Sequence, residues 1–266
     1  MRLALGVEYQ GGRYMGWQRQ HHGPSVQAEL ELALSKVADH PVNVVCAGRT
    51  DAGVHASGQV VHFDSHAERN RRNWLLGTNA GLPNDISVRW VRRVGDDFHA
   101  RFSATSRRYV YLLLNRIAPS ALAAGRAFLV HRPLDEHAMQ AAGQALRGEH
   151  DFSAFRAAGC QAKTPRRTVT RLDVSRDGDW LWVDISANAF LQHMVRNITG
   201  LLVTIGRGDL AVADAARVLG SRDRGRAPFA APAHGLYLVS VAYPARFELP
   251  LAAAAGTLPL ARTVFG

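Results

Sequence analysis

A carboxylate flanked by two glycines and preceded by a cation stands in the segment Ala47-Gly48-Arg49-Thr50-Asp51-Ala52-Gly53-Val54-His55-Ala56. Glycine at 48 and 53 lets the backbone turn sharply or lie close to a ligand, because neither position carries a Cβ. Asp51 then projects from a tight loop. Arg49, two residues earlier, is placed to keep the carboxylate ionised and available as a nucleophile. Gly, Asp and Thr also build ordinary turns, so other parts of the chain must complete any reaction centre. Tyr109 and Tyr111 alternate along a predicted strand and share one face, where an aromatic ring can stack on a planar ligand. Arg196 lies near Asn188, Phe190 and His193 on a predicted helix.

Two enzyme chemistries fit this set poorly. The twelve histidines include His55, His62, His99 and His193, but there is no His-Glu-x-x-His, no cysteine pair at ligand spacing and no carboxylate cluster to complete a shell. No metal is expected. A glycosidase would pair a second carboxylate with the first, and none lies in the Asp51 loop. A third candidate is an RNA-binding protein or chaperone without catalysis, which Asp51→Asn would separate from an enzyme. Cys46 and Cys160 form no disulfide framework, which suits a reducing compartment.

Composition bounds the partner. A chain of 266 residues with 47% hydrophobic and 20% charged residues reads as globular. No run approaches the roughly eighteen apolar residues of a membrane span, and the start Met1-Arg2-Leu3-Ala4-Leu5-Gly6 lacks a cleavable apolar core, so a cytoplasmic location without membrane is expected. The net charge of +10 comes from 32 basic against 22 acidic residues, and a polyanion is the natural partner. Arginine dominates, Lys36 and Lys163 being the lysines. A GC-rich genome would produce the same bias, so only the net charge counts as evidence. The Pro165-Arg166-Arg167 and Arg222-Asp223-Arg224-Gly225-Arg226 clusters are expected in loops.

Periodicity supplies the elements that must position these residues. The first half reads strand 2–8, helix 26–38 behind Ser25 as N-cap, strands 42–47 and 59–64, helix 67–80 and strand 86–93. The second reads strand 107–114, helix 135–147, strands 168–175 and 180–187, helix 190–206 and strand 236–242, with a further helix near 212–219. Each half has the order βαββαβ. The expected fold is α+β: two ferredoxin-like halves forming a mixed, mainly antiparallel sheet with helices on one face and an RNA-binding groove on the other. The expected divisions are 1–105, carrying the Asp51 loop; 106–248, carrying Tyr109 and Arg196; and a tail at 249–266.

The segment from Gly48 to Ala56 resembles the signature of the tRNA pseudouridine synthase A (TruA) family. Four further segments match that family in order: Tyr14-Met15-Gly16-Trp17-Gln18-Arg19-Gln20, Asp97-Phe98-His99-Ala100-Arg101-Phe102-Ser103-Ala104, Arg107-Arg108-Tyr109-Val110-Tyr111, and Asn188-Ala189-Phe190-Leu191-Gln192-His193-Met194-Val195-Arg196-Asn197. The resemblance runs from about Leu5 to Pro244. It implies conversion of uridine to pseudouridine at positions 38, 39 and 40 of the tRNA anticodon stem-loop, by a homodimer without a cofactor. It implies that Asp51 is the catalytic aspartate, which can attack C1′, add to C6 or assist removal of the 2′ proton. Tyr109 would stack on the uracil, Arg196 would pair with the aspartate, and Arg49 would fill the space left by a flipped base.

Overall fold

The computed structural model describes residues 1–250. In chain order the elements are β1 (Arg2–Tyr9), α1 (Val26–Ala38), β2 (Val45–Cys46), β3 (His55–Asp64), α2 (Arg71–Gly81), β4 (Ile86–Val94), β5 (Ser106–Asn115), β6 (Phe128–Val130), α3 (Glu136–Gln144), β7 (Gly148–Asp151), β8 (Arg166–Asp177), β9 (Trp180–Ala187), α4 (Met194–Gly206), α5 (Asp214–Ser221) and β10 (Leu236–Ala242). The fold is α+β. β10 on β3 and β6 on β5 pair parallel, while β1 with β3 and β4, β2 with β3, β5 with β9, β8 with β9 and β7 with β8 pair antiparallel, so the sheet is mixed.

The chain divides into two compact units, Met1–Thr105 together with the chain from Tyr237, and Ser106–Leu236. In the first, β4, β1, β3 and β2 pair antiparallel in that order, as a ferredoxin-like βαββαβ sequence requires. Period-two alternation sends Leu3 and Leu5 to one face of β1, opposite Phe63 and Val61 of β3. Phe63 there meets Trp74 of α2 edge to face, 5.2 Å between ring centres. Helix α1 begins as its sequence predicts: the Ser25 hydroxyl accepts from the Ala28 amide, satisfying one of the orphan donors of the first turn. On the other face Ala4 and Val60 form a small core with Phe98, Ala100 and Phe247, covered by Trp90 and Tyr243.

The placement of residues 237–248 differs from the sequence expectation, which assigned them to the second half. Tyr237 and Leu238 run parallel to His55 and Ala56 of β3, and Phe247 enters the first unit's core. Pairing between segments so far apart in the chain leaves no local signal. The expected tail at 249–266 falls mostly outside the described residues.

In the second unit β5, β9, β8 and β7 form an antiparallel array in that order. The face of α3 is set by Gly143, where an added Cβ would lie 2.4 Å from Leu172 Cδ2 of β8; the helix therefore rides close on the strand. Helix α4 is buried almost all round, the signature of a helix inside a core.

Several boundaries differ from periodicity. Strand β2 is two residues long rather than six, because the Val42 amide donates to Ser35 Oγ at 2.9 Å and the Val44 amide to Glu31 Oε1 at 3.0 Å; side chains of α1 take the place of a strand neighbour. Helix α2 starts at Arg71 rather than 67, where Asn70 Oδ1 accepts from the Asn73 amide. Helix α4 starts at Met194 rather than 190, because His193 adopts a left-handed conformation, φ 63°. The Arg166-Arg167 pair opens strand β8 instead of lying in a loop.

Candidate active site

The Asp51 loop joins β2 to β3 and is held from three directions. Thr50 turns inward, and its hydroxyl shares a buried hydrogen bond of 2.8 Å with the Tyr9 phenol. Its carbonyl accepts from the Trp17 amide at 3.0 Å. At the start of the loop, Gln59 Nε2 donates to the Gly48 carbonyl at 2.7 Å, while Gln59 Oε1 accepts from the Val60 amide. At its end, the Val54 amide donates to the Asp51 carbonyl at 3.1 Å, closing a tight turn whose third residue, Gly53, has φ 80°. That value suits glycine because it carries no Cβ.

A second glycine explains how closely the preceding segment approaches. Gly16 has φ 99°, and a Cβ there would sit 2.7 Å from the Thr50 carbonyl oxygen. The Tyr14-to-Gln20 motif is therefore the wall against which the Asp51 loop is cast. Thr50 is buried, Asp51 half-buried and Arg49 exposed; the alternation places the carboxylate at the surface of a rigid frame.

His55 has a structural part. Its Nδ1 accepts from the Gly11 amide at 3.0 Å, which fixes the tautomer with hydrogen on Nε2. Its ring stacks on Tyr237 at 4.7 Å. Among the described residues no group of three or more His, Cys, Asp or Glu is placed to hold a metal ion.

The second unit carries Tyr109 and Arg196. Tyr109 lies on β5 opposite Ile185 of β9, is 8% exposed, and meets Phe190 edge to face at 5.1 Å. Tyr111 points to the same face of the strand but serves packing: its hydroxyl donates to the Pro232 carbonyl at 2.6 Å, and burial pushes its phenol well above the usual range. Arg196 sits in the first turn of α4. Its Nε donates to the Ala231 carbonyl at 2.8 Å while the Ala231 amide donates to the Arg196 carbonyl at 3.0 Å, so the base of the guanidinium is fixed.

Two arginines beside Tyr109 support its strand. Arg108 Nε donates to Asp184 Oδ1 at 2.7 Å, and Arg171 Nη2 lies 3.1 Å from Asp184 Oδ2. Arg107 Nη1 donates to the Asn188 carbonyl at 3.0 Å. Sequence reasoning missed Tyr9, Gln59 and Asp184. Their partners lie far along the chain, although an Asp and a Gln inside otherwise apolar strands are a signal that a buried partner exists.

Comparison with known proteins shows the family. The family model described as tRNA pseudouridine synthase matches residues 6–103 and 142–244. The chain is 56% identical over 250 residues to the tRNA pseudouridine synthase A of Aeromonas salmonicida, covering 94% of this chain and 93% of that one. It is 55% identical over 251 residues to the protein of the same name from Vibrio parahaemolyticus, covering 94% and 95%. To that of Photorhabdus laumondii it is 54% identical over 253 residues, covering 95% and 96%. The chain therefore belongs to the tRNA pseudouridine synthase A family and is an isomerase.

Proposed function

We propose that this isomerase converts uridine to pseudouridine at positions 38, 39 and 40 of the tRNA anticodon stem-loop, with Asp51 as its nucleophilic carboxylate. The reaction breaks the bond from C1′ to N1, turns the base, joins C5 to C1′, releases the C5 proton and leaves N1 carrying a proton in its place. Atoms are conserved and nothing is oxidised. The demands on the protein are a nucleophile, a surface that holds the detached base and an acceptor for one proton.

One observation carries the proposal: a half-buried aspartate presented by a loop whose neighbour Thr50 is pinned inside the core. Such a frame holds a nucleophile in one geometry, which is where much of its rate advantage arises. We assign the uracil stack to Tyr109, since a stacked ring tolerates in-plane rotation of the base. Arg196 is assigned to the aspartate's charge. Arg49, exposed beside Asp51, is assigned to the space vacated by a flipped base. An Arg49→Ala variant should then lose more turnover at a paired uridine than at an unpaired one.

The net charge of +10 favours a polyanionic substrate. We extend the proposal to a homodimer acting in the cytoplasm, where tRNA is matured; among the described residues no helix is long and apolar enough to cross a membrane.

The test is tritium release from tRNA transcripts labelled at uridine C5, with chelator present. Wild type should release label from transcripts with uridine at 38, 39 or 40 and not from one with cytidine at all three. Asp51→Asn should bind tRNA and release nothing. Undiminished release by Asp51→Asn would sink the nucleophile assignment, and release from the cytidine transcript would sink the position assignment.

A further inference from the structure

The segment that leaves the first unit's core holds an aromatic ring out in solvent. Phe98 and Ala100 are fully buried, yet Phe102 is 76% exposed. The turn between them is closed by the Ser103 amide on the His99 carbonyl at 2.9 Å and by the His99 amide on Ser103 Oγ at 3.0 Å. His99 Nδ1 then accepts from both the Arg101 and Phe102 amides, at 3.2 and 3.1 Å. The turn is rooted on both sides: the Ala100 amide donates to His62 Nδ1 at 3.1 Å, and the Tyr243 hydroxyl to the Ala100 carbonyl at 2.6 Å.

This frame arranges flat groups in layers. The His99 ring stacks on one side of Phe102, 4.3 Å between centres and 27° between planes. The Arg101 guanidinium carbon lies 5.6 Å from the Phe102 ring centre. Burial and the charge of Arg2 hold the His99 imidazole below its usual range, so near neutral pH an uncharged ring backs the phenyl. Hydrophobic side chains normally escape water. Here a hydrogen-bonded turn prevents the escape and fixes the ring's orientation.

We propose that Phe102, backed by His99 and flanked by Arg101, is a stacking platform for an unpaired nucleobase of the RNA substrate. This presupposes the tRNA substrate proposed above. A nucleobase fits better than a protein side chain for two reasons. The site offers an aromatic face with a cation beside it, the pairing that recurs where single-stranded bases are held without sequence preference. The chain as a whole carries +10, which draws a polyanion to the surface. Phe102, His99 and Arg101 are not among the residues assigned above to the reacting uridine, whose stack is given to Tyr109, so the platform is assigned a second nucleotide.

The test combines filter binding of an unmodified tRNA transcript with tritium release, using full-length protein. Phe102→Ala should weaken tRNA binding and raise KM about tenfold, the order expected for one lost base stack, while kcat at saturation stays near wild type. The slope of log Kd against log salt should not change, because no phosphate contact is removed. Phe102→Tyr and Phe102→Trp should restore affinity and Phe102→Leu should not; thermal unfolding of each variant checks that the turn is intact. Unchanged affinity in Phe102→Ala, or full restoration by leucine, overturns the platform. So does altered sedimentation of Phe102→Ala without RNA at unchanged affinity, which would assign the ring to a protein interface. A wild type that binds and turns over tRNA while Phe102→Ala matches it refutes the platform alone; a wild type that does not bind tRNA refutes the substrate proposal as well.

Discussion

The Tyr9 phenol and the Thr50 hydroxyl are 2.8 Å apart inside the core, and through this bond β1 holds the residue next to Asp51. Gln59 Nε2 reaches the Gly48 carbonyl two residues before Thr50. The Asp51 loop is thereby tied to two strands rather than resting on its own turn.

Tyr9→Phe keeps the ring and removes the hydroxyl, leaving Thr50 without this buried partner. The cost should be about 1–2 kcal/mol in a denaturant titration. In steady-state kinetics kcat should fall roughly tenfold with little change in KM for tRNA, because the bond orients the loop rather than touching RNA. A rise in KM with kcat unchanged would assign Tyr9 to binding instead.

Gly16→Ala places a Cβ 2.7 Å from the Thr50 carbonyl oxygen in a backbone at φ 99°. The conformation alone should cost about 1–2 kcal/mol, and relief of the clash must push the Asp51 loop outward. Turnover should fall more than stability predicts. Equal turnover per folded molecule, measured by tritium release against circular dichroism, would show that the loop does not depend on this wall.

Asp184, 4% exposed, accepts from Arg108 and faces Arg171. Removing one partner of a buried ion pair leaves the other charge uncompensated, so Asp184→Ala should destabilise the protein by about 3 kcal/mol. The check is the guanidinium midpoint at constant slope. A loss below about 1 kcal/mol would mean that solvent already screens the pair.

His62 is held neutral. Burial, followed by the neighbouring His99 and Arg2 charges, lowers its pKa from 6.5 to about 4, against a smaller opposing pull from Asp64. The folded value lies below the unfolded one, so the unfolded chain takes up a proton first. Stability from this group is complete above about 6.5 and drains away as pH falls towards about 4. The melting temperature should decline across that window, and His62→Gln should flatten the decline. An identical acid limb in the variant would place the effect on other groups.

Local chemistry made much of the protein legible. The bounds of α1 follow from Ser25 and the apolar spacing of Leu30, Ala33 and Leu34, because a cap and a helical stripe each lie within a few residues. Strands β1, β3, β4, β5, β8 and β9 are legible for the same reason, as alternation is a property of neighbours. The glycines around Asp51 likewise mark a turn from sequence alone. The shortness of β2 was not legible, since it depends on Ser35 and Glu31 reaching back from α1. The late start of α4 was not either, since it depends on a left-handed His193.

By itself the sequence determined the βαββαβ order of the first unit and the family, and marked the Asp51 segment as a turn, because motif spacing and periodicity are written in contiguous residues. Tertiary structure alone decided what makes that loop rigid. Tyr9 and Gln59 had to find Thr50 and Gly48 across the fold, and Gly16 had to leave room for the Thr50 carbonyl. A buried polar group must be paired wherever a partner can be brought within hydrogen-bond reach, and only the folded chain sets which partner that is.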